Sequence, residues 1–248
     1  MKKISIILLL LVTVSVANGQ TKSQADSAYI NNDYAGAVEM YEAILTNEGE
    51  SSDIYYNLGN SYYKMDNIAK AILNYERALL LNPGDGDIRF NLELAQSKAV
   101  DKVVPISEMF FVTWIKSLAN MMSEKGWAKL GIATFIMMLL ALALYFFGKK
   151  IALKKIGFIS AICLLLVCVL SNVFASSQKE KVLEHGMAII MAPSVTVKST
   201  PNETGTDLFI LHEGRKVMIK DNAMKEWKEI QLEDGNAGWV PASVIEII

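Results

Sequence analysis

The sequence predicts a multidomain membrane protein, with an α-helical repeat array, two transmembrane helices and a small C-terminal β-barrel. Three observations predict it. Two charge-poor apolar runs, 127–147 and 156–175, lie close together in mid-chain. Before them, apolar residues recur at helical spacing with a second, longer period; from Met187 onward the spacing falls to two.

The first run, "WAKLGIATFIMMLLALALYFF", carries Lys129 as its only charge, and the second, "IGFISAICLLLVCVLSNVFA", carries none. Each approaches the roughly 20 apolar residues that cross ~30 Å of hydrocarbon as a helix. The opening stretch, "MKKISIILLLLVTVSVANGQ", is shorter and begins with Lys2 and Lys3. It ends in Ala17 and Gly19 at cleavage-site spacing, so residues 1–19 read as a signal peptide removed before Gln20.

Between the two runs, 148–155 holds Lys149, Lys150, Lys154 and Lys155 and no acidic residue. Short loops rich in lysine stay cytoplasmic, because moving that charge across a bilayer is unfavourable. The outer flanks balance, Glu124 with Lys125, and Lys179 and Lys181 with Glu180 and Glu184. The segments before and after the hairpin are therefore expected on the non-cytoplasmic side, with the lipid bilayer as the first partner.

A net charge of −2 and the lack of a basic stripe outside the loop argue against a nucleic-acid partner. Cys163 and Cys168 both lie in the second run, on different faces of a helix, and read as small packing residues. There is no Gly-rich phosphate loop and no nucleophile elbow, and the histidines are His185 and His212. In "HEGRK", Lys216 stands where a zinc-binding H-E-x-x-H would need its second histidine. The expectation is no metal, no cofactor, no catalytic set and no enzyme.

The repeat signal is clearest in "SDIYYNLGNSYYKMDNIAKAILNYERALLLNP", residues 52–83. Tyr55, Leu58, Gly59 and Tyr62, then Ala71, Tyr75 and Ala78, keep helical spacing, and Met65-Asp66-Asn67 breaks the stretch into two helices. Small residues let such a pair approach closely while large ones fill the gaps. The pattern is similar to the tetratricopeptide consensus, with Tyr55 for its Trp and Tyr75 for its Phe. A shift of about 34 residues, the period of such repeats, maps Ala71 and Tyr75 back onto Ala37 and Tyr41, and Ile54, Asn57 and Leu58 forward onto Ile88, Asn91 and Leu92. A domain over 20–100 is expected, with a degenerate first repeat, a clear second and a closing helix. By resemblance, its concave groove would present Tyr56, Asn60, Tyr63 and Lys64, then Phe90, Leu94 and Lys98, to an extended peptide or a helix.

Residues 101–126 form a joint. Phe111, Trp114, Ile115, Leu118, Met121 and Met122 fall at 3–4 spacing, with Thr113, Lys116, Ser117 and Asn120 between them and Ser107 as a helix cap after Pro105. An amphipathic helix carrying Trp and Phe beside a span is expected in the outer interface, the alternative being that it docks under the repeat domain as another helix. Residues 176–185 read as a linker.

Over 186–248, "AIIM", "SVTVKS", "RKVMIK", "EWKEIQL", "AGWVP" and "SVIEII" are short β-branched runs. A D-G turn at Asp234-Gly235 points to a hairpin. Five or six strands in a closed barrel are expected. The order "VTVKSTP", "LHEGRKV", "EWKEIQLEDGNAGWVPASVI" resembles bacterial SH3-like domains, which implies a turn at Gly214, Trp227 packing the barrel and Trp239 near its closure. Trp227 and Trp239 are also the candidates for a ligand platform on this domain.

Taken in order, signal peptide, repeats, "IRFNLELA", the aromatic "FFVTWIKSLANMMSEKGWAKLG" joint, two spans around a basic loop and an SH3-like end resemble BatE proteins. The resemblance covers nearly the whole chain. It implies a bacterial cytoplasmic-membrane protein of an aerotolerance (Bat) operon, with both folded domains periplasmic. It also implies partners among the other Bat membrane proteins of von Willebrand A type. Two functions follow from the parts. One is a non-enzymatic scaffold holding exported proteins at the membrane; the alternative is a sensor whose SH3-like domain binds peptidoglycan and relays envelope state through the spans.

Overall fold

A computed structural model describes residues 22–102, 109–184 and 186–248. Residues 1–19, expected to be a signal peptide, and Ser107 and His185 lie outside the described residues. The described chain forms two compact units, one from 22–80, 85–102 and 186–248, the other from 81–84 and 109–184.

The first unit begins with helices α1 (22–30), α2 (Tyr34–Glu48), α3 (Ser52–Lys64), α4 (Ile68–Leu81) and α5 (Gly86–Lys98). The two turns inside the helix pairs are copies of each other. Asn32 (φ 64) and Asp66 (φ 59) occupy the left-handed region, which short polar side chains tolerate best. Each is followed by a helix cap: Asp33 accepts the Gly36 N–H, and Asn67 accepts the Lys70 N–H. The period is thus written in backbone geometry, and the degenerate first repeat folds like the second.

Helices α3 and α4 meet where Gly59 removes a side chain. A β-carbon there would stand 2.7 Å from Cδ1 and Cε1 of Tyr75, whose ring is almost fully buried. The opposite side of α4 is covered too, by the C-terminal sheet. Ile72, Leu73, Asn74 and Glu76 are all buried, and α4 has almost no wet face.

The sheet is antiparallel and seven-stranded, in the order β3-β2-β6-β5-β4-β1-β7. Its strands are β1 (Met187–Ile190), β2 (Ser194–Lys198), β3 (Asp207–His212), β4 (Lys216–Asp221), β5 (Trp227–Gln231), β6 (Ala237–Pro241) and β7 (Ile245–Ile247). Ala188, Ile190, Val195, Val197, Leu211, Val217, Ile230 and Val240 form one core inside the curl, with Ile245 packed against it. Two expectations need correction. There are seven strands rather than five or six, because β3, "DLFILH", is an additional strand beside β2 that the expected runs do not include. The ladder also does not close into a barrel: β3 pairs with β2 and the short β7 with β1, leaving both as edges.

The repeat segment and the sheet are likewise not separate domains. Lys216 Nζ lies 2.7 Å from Glu76 Oε2, and Arg77 Nη2 lies 3.2 Å from Glu246 Oε1 and donates to the Ile247 carbonyl at 2.6 Å. Asp101 accepts from the His212 N–H at 2.7 Å and sits 2.9 Å from its Nδ1. At the centre, the Gly214 turn (φ +81) comes so near Ile72 that a β-carbon would stand 2.9 Å from its Cδ1.

The second unit holds α6 (Phe110–Ala119), α7 (Glu124–Phe147) and α8 (Ile151–Glu184). By length and composition, α7 and α8 are both sufficient to cross a membrane. Small residues bring them together. A β-carbon on Gly157 would stand 2.8 Å from the Ala141 carbonyl and from the Tyr145 nitrogen, both backbone atoms of α7. Two boundaries differ from expectation. The basic connection shortens from 148–155 to 148–150, since Lys154 and Lys155 join the first turns of α8. The expected linker 176–185 is helical through Glu184, because tertiary hydrogen bonds from Gln178 and Lys181 hold that end of the helix.

Gly59→Val should cost about 2 kcal/mol or more by overpacking against Tyr75. Thermal melts of the detergent-solubilised chain check this, and a melting point unchanged from wild type would refute the close approach.

Candidate functional site

The groove side of the helical array is built from α1, α3 and α5. On α3, Tyr56 Oη accepts from Asn91 Nδ2 of α5 at 2.6 Å, and its ring lies 6.0 Å from Tyr75. Asn60 Oδ1 accepts the Tyr75 hydroxyl at 2.8 Å. Tyr63 lies under the Lys98 ammonium, 4.3 Å from ring centroid to Nζ, and the same Nζ reaches Asp66 at 3.4 Å. Phe90 and Leu94 of α5 stand out, 64% and 41% exposed, and Lys64 is exposed. The structure therefore brings Tyr56 together with α5 through Asn91, and Tyr63 with Lys98 directly. Phe90, Leu94 and Lys64 remain open to solvent. Such a surface combines apolar contact area, aromatic faces and amide groups held in place by partners on neighbouring helices. It has shape and hydrogen-bonding capacity, not a reacting centre.

Next to this strip lies a cavity of about 260 Å³ lined by Asp26, Tyr29, Ile30, Tyr41, Asn57 and Asn60. Asp26 Oδ1 organises it, accepting from Tyr41 Oη at 2.6 Å and from Asn57 Nδ2 at 3.2 Å. Asp26, Tyr29 and Ile30 were not singled out from sequence, yet they sit one period before Asn60, Tyr63 and Lys64. The signal that would have found them is the same shift that identified the repeat, carried back into the first helix.

Burial pushes the Tyr41 hydroxyl above the ordinary tyrosine range, and the bond to Asp26 adds to it. Tyr75 is raised as well, by burial and then by the neighbouring tyrosines Tyr56, Tyr29 and Tyr63. Both hydroxyls are neutral and serve as fixed hydrogen-bond donors rather than as acid–base groups.

On the sheet, Trp227 and Trp239 are half-buried and outside the core. Trp227 pairs with Pro241 and Trp239 with Glu229 across β5 and β6. Since Ile230, Gly238 and Val240 turn inward, strand alternation puts both tryptophans on the outer face. The expectation that Trp227 packs the interior is corrected: Ile230 takes that place, and the indoles belong to the surface. Among the described residues no cluster of His, Cys, Asp or Glu is arranged to hold a metal ion.

The tetratricopeptide-repeat family matches residues 52–85, which are α3, α4 and the turn that follows. No curated protein matches the chain. Repeats of this family generally mediate protein–protein interaction.

The tyrosine network predicts an alkaline weakness. In the unfolded chain Tyr41 ionises near its ordinary 10.0, below its folded value. Its contribution is thus complete below about pH 10 and is lost as pH rises beyond it. Tyr41→Phe should lower stability at neutral pH by about 1 kcal/mol through the lost hydrogen bond. It should also flatten the alkaline decline; parallel melting curves above pH 10 for variant and wild type would contradict this.

Proposed function

We propose that the protein is a membrane-anchored, non-enzymatic scaffold. In this reading α7 and α8 span the bilayer, and the repeat groove and an SH3-like C-terminal sheet hold protein partners on the non-cytoplasmic face. The observation that carries it is the groove itself, a tetratricopeptide surface in which Tyr56, Asn60, Tyr63 and Lys98 are held by their neighbours while Phe90 and Leu94 stay exposed. The ligand is an extended or helical segment of another protein. The resemblance to BatE proteins supports a periplasmic setting in this reading, with von Willebrand A type Bat proteins as the partners to test first.

A second reading has one observation in its favour. The two tryptophans on the outer face of β5 and β6 make a platform of the kind that stacks on sugar rings, which suits a peptidoglycan-binding sensor.

Affinity purification of the tagged full chain from membranes separates the two. The scaffold reading expects a stoichiometric membrane partner, weakened about tenfold or more by Phe90→Ala with Leu94→Ala, as for truncation of central interface anchors. Recovery of chaperones alone would defeat it. Co-sedimentation with purified sacculi that is lost in a folded Trp239→Ala variant would establish the sensor instead.

A further inference from the structure

Helix α6 presents an unusual exposure. Phe110 is 85% exposed, Trp114 70%, Ile115 52% and Phe111 47%, and at i, i+1, i+4, i+5 these four form one stripe. Thr113, Lys116 and Ser117 lie off that stripe. Only Ala119, in the last turn, is fully buried. A helix of ten residues is marginal alone in water, so α6 depends on contacts beyond its own backbone.

The far end of α6 is fixed, and one atom fixes it. The Ala119 carbonyl accepts from Trp127 Nε1 of α7 at 2.8 Å and from Gln178 Nε2 of α8 at 2.7 Å. Asn120 Oδ1 accepts from the same Gln178 nitrogen at 2.9 Å and from Lys181 Nζ at 3.0 Å. Trp127 and Gln178 are both buried, and the Trp127 ring packs 5.0 Å from Phe174. This node sits where the apolar parts of α7 and α8 end, away from the lysine turn at 148–150. If the two helices span a bilayer, it lies at headgroup depth, where Trp and Phe are favoured.

Resting on that spanning reading, we infer that α6 is a third membrane-contact element. It is seated in the outer lipid interface with Phe110, Phe111, Trp114 and Ile115 against the acyl chains, and held there through the Ala119 carbonyl. The occupant is the lipid surface itself, because the node that ties α6 to the hairpin lies where the apolar runs of α7 and α8 end, the depth that favours exposed Trp and Phe. Trp127 and Gln178 are positioning residues that set the attitude of α6.

The test uses the full chain with Cys163→Ala and Cys168→Ala, in vesicles of phosphatidylcholine and phosphatidylglycerol. Nitroxide labels are placed singly at Ile115→Cys, Thr113→Cys and Leu140→Cys. Power-saturation measurements should find 115 and 140 accessible to oxygen and 113 accessible to a water-soluble nickel complex, with a several-fold difference between 115 and 113. Equal aqueous exposure at 113 and 115 while 140 stays in lipid would overturn the inference and leave the spanning reading intact. Aqueous exposure at 140 would remove the spanning reading and this inference with it. Adding Trp127→Phe with Gln178→Leu should collapse the contrast between 113 and 115 without moving 140; an unchanged contrast would overturn the role of the carbonyl.

Discussion

Helix α4 is compressed from two sides, and the first unit is organised by that compression. On one side Gly59 lets α3 approach until the Tyr75 ring fills the space a side chain would need. On the other, Ile72 receives the Gly214 turn of the sheet. A helix buried nearly all round cannot carry free charge, so the charges at Glu76 and Arg77 are matched. Glu76 meets Lys216, and Arg77 meets Glu246 and the Ile247 carbonyl. Removing Lys216 would leave the buried Glu76 carboxylate without its partner, which costs far more than the pair contributes, so these bonds fix the docking register more than they add stability. The outer face of the second repeat is thereby taken by the protein's own sheet, and the groove is left as the face for others.

The second unit follows a different rule. Its helices bury their small residues against each other, Gly157 against Ala141 and Tyr145, and turn Ile132, Phe135, Ile136, Leu139 and Leu140 outward. A water-soluble pair would do the reverse. Packing through small residues with large apolar ones outside is how helices associate when the surroundings are as apolar as the side chains. Within the helices Thr134, Ser160 and Ser171 return their hydroxyls to carbonyls of their own helix, and at the end of the hairpin Asn120 accepts from both Gln178 and Lys181.

Much of this was legible in the sequence where local rules decide the outcome. Helices α3 and α4, the break at Met65-Asp66-Asn67 and the strand alternation after Met187 all depend on near neighbours. The extension of α8 past Ala175 was not legible, since Ser176, Ser177, Gln178 and Lys179 read as a polar linker until Gln178 is seen to reach Ala119. Sheet docking on α4 was hidden for the same reason: Glu76 and Lys216 are 140 residues apart, and Arg77 and Glu246 further still. Trp227 misled because the resemblance implied that it packs the barrel, whereas alternation beside the inward Ile230 puts it on the outer face. In "AGWVP" the alternation assigns the interior to Gly238 and Val240, and Trp239 has to face out. In the groove, Asp26 and Tyr29 were missed because the first helix departs from the consensus while keeping its period.

The contact between α4 and the sheet also bears on membrane topology, independently of the lysine turn. The residues that meet there come from both sides of the hairpin: Glu76, Arg77 and Asp101 precede it, and His212, Lys216 and Glu246 follow it. Two segments joined by ion pairs and a shared apolar contact must occupy one compartment. Any membrane crossed between residues 102 and 186 is then crossed an even number of times. Two helices of sufficient length, joined by a turn of three residues, meet that condition; one crossing cannot. If the two helices do cross a membrane, the docking of the sheet on α4 requires both ends of the hairpin to lie on one side and the turn at 148–150 on the other.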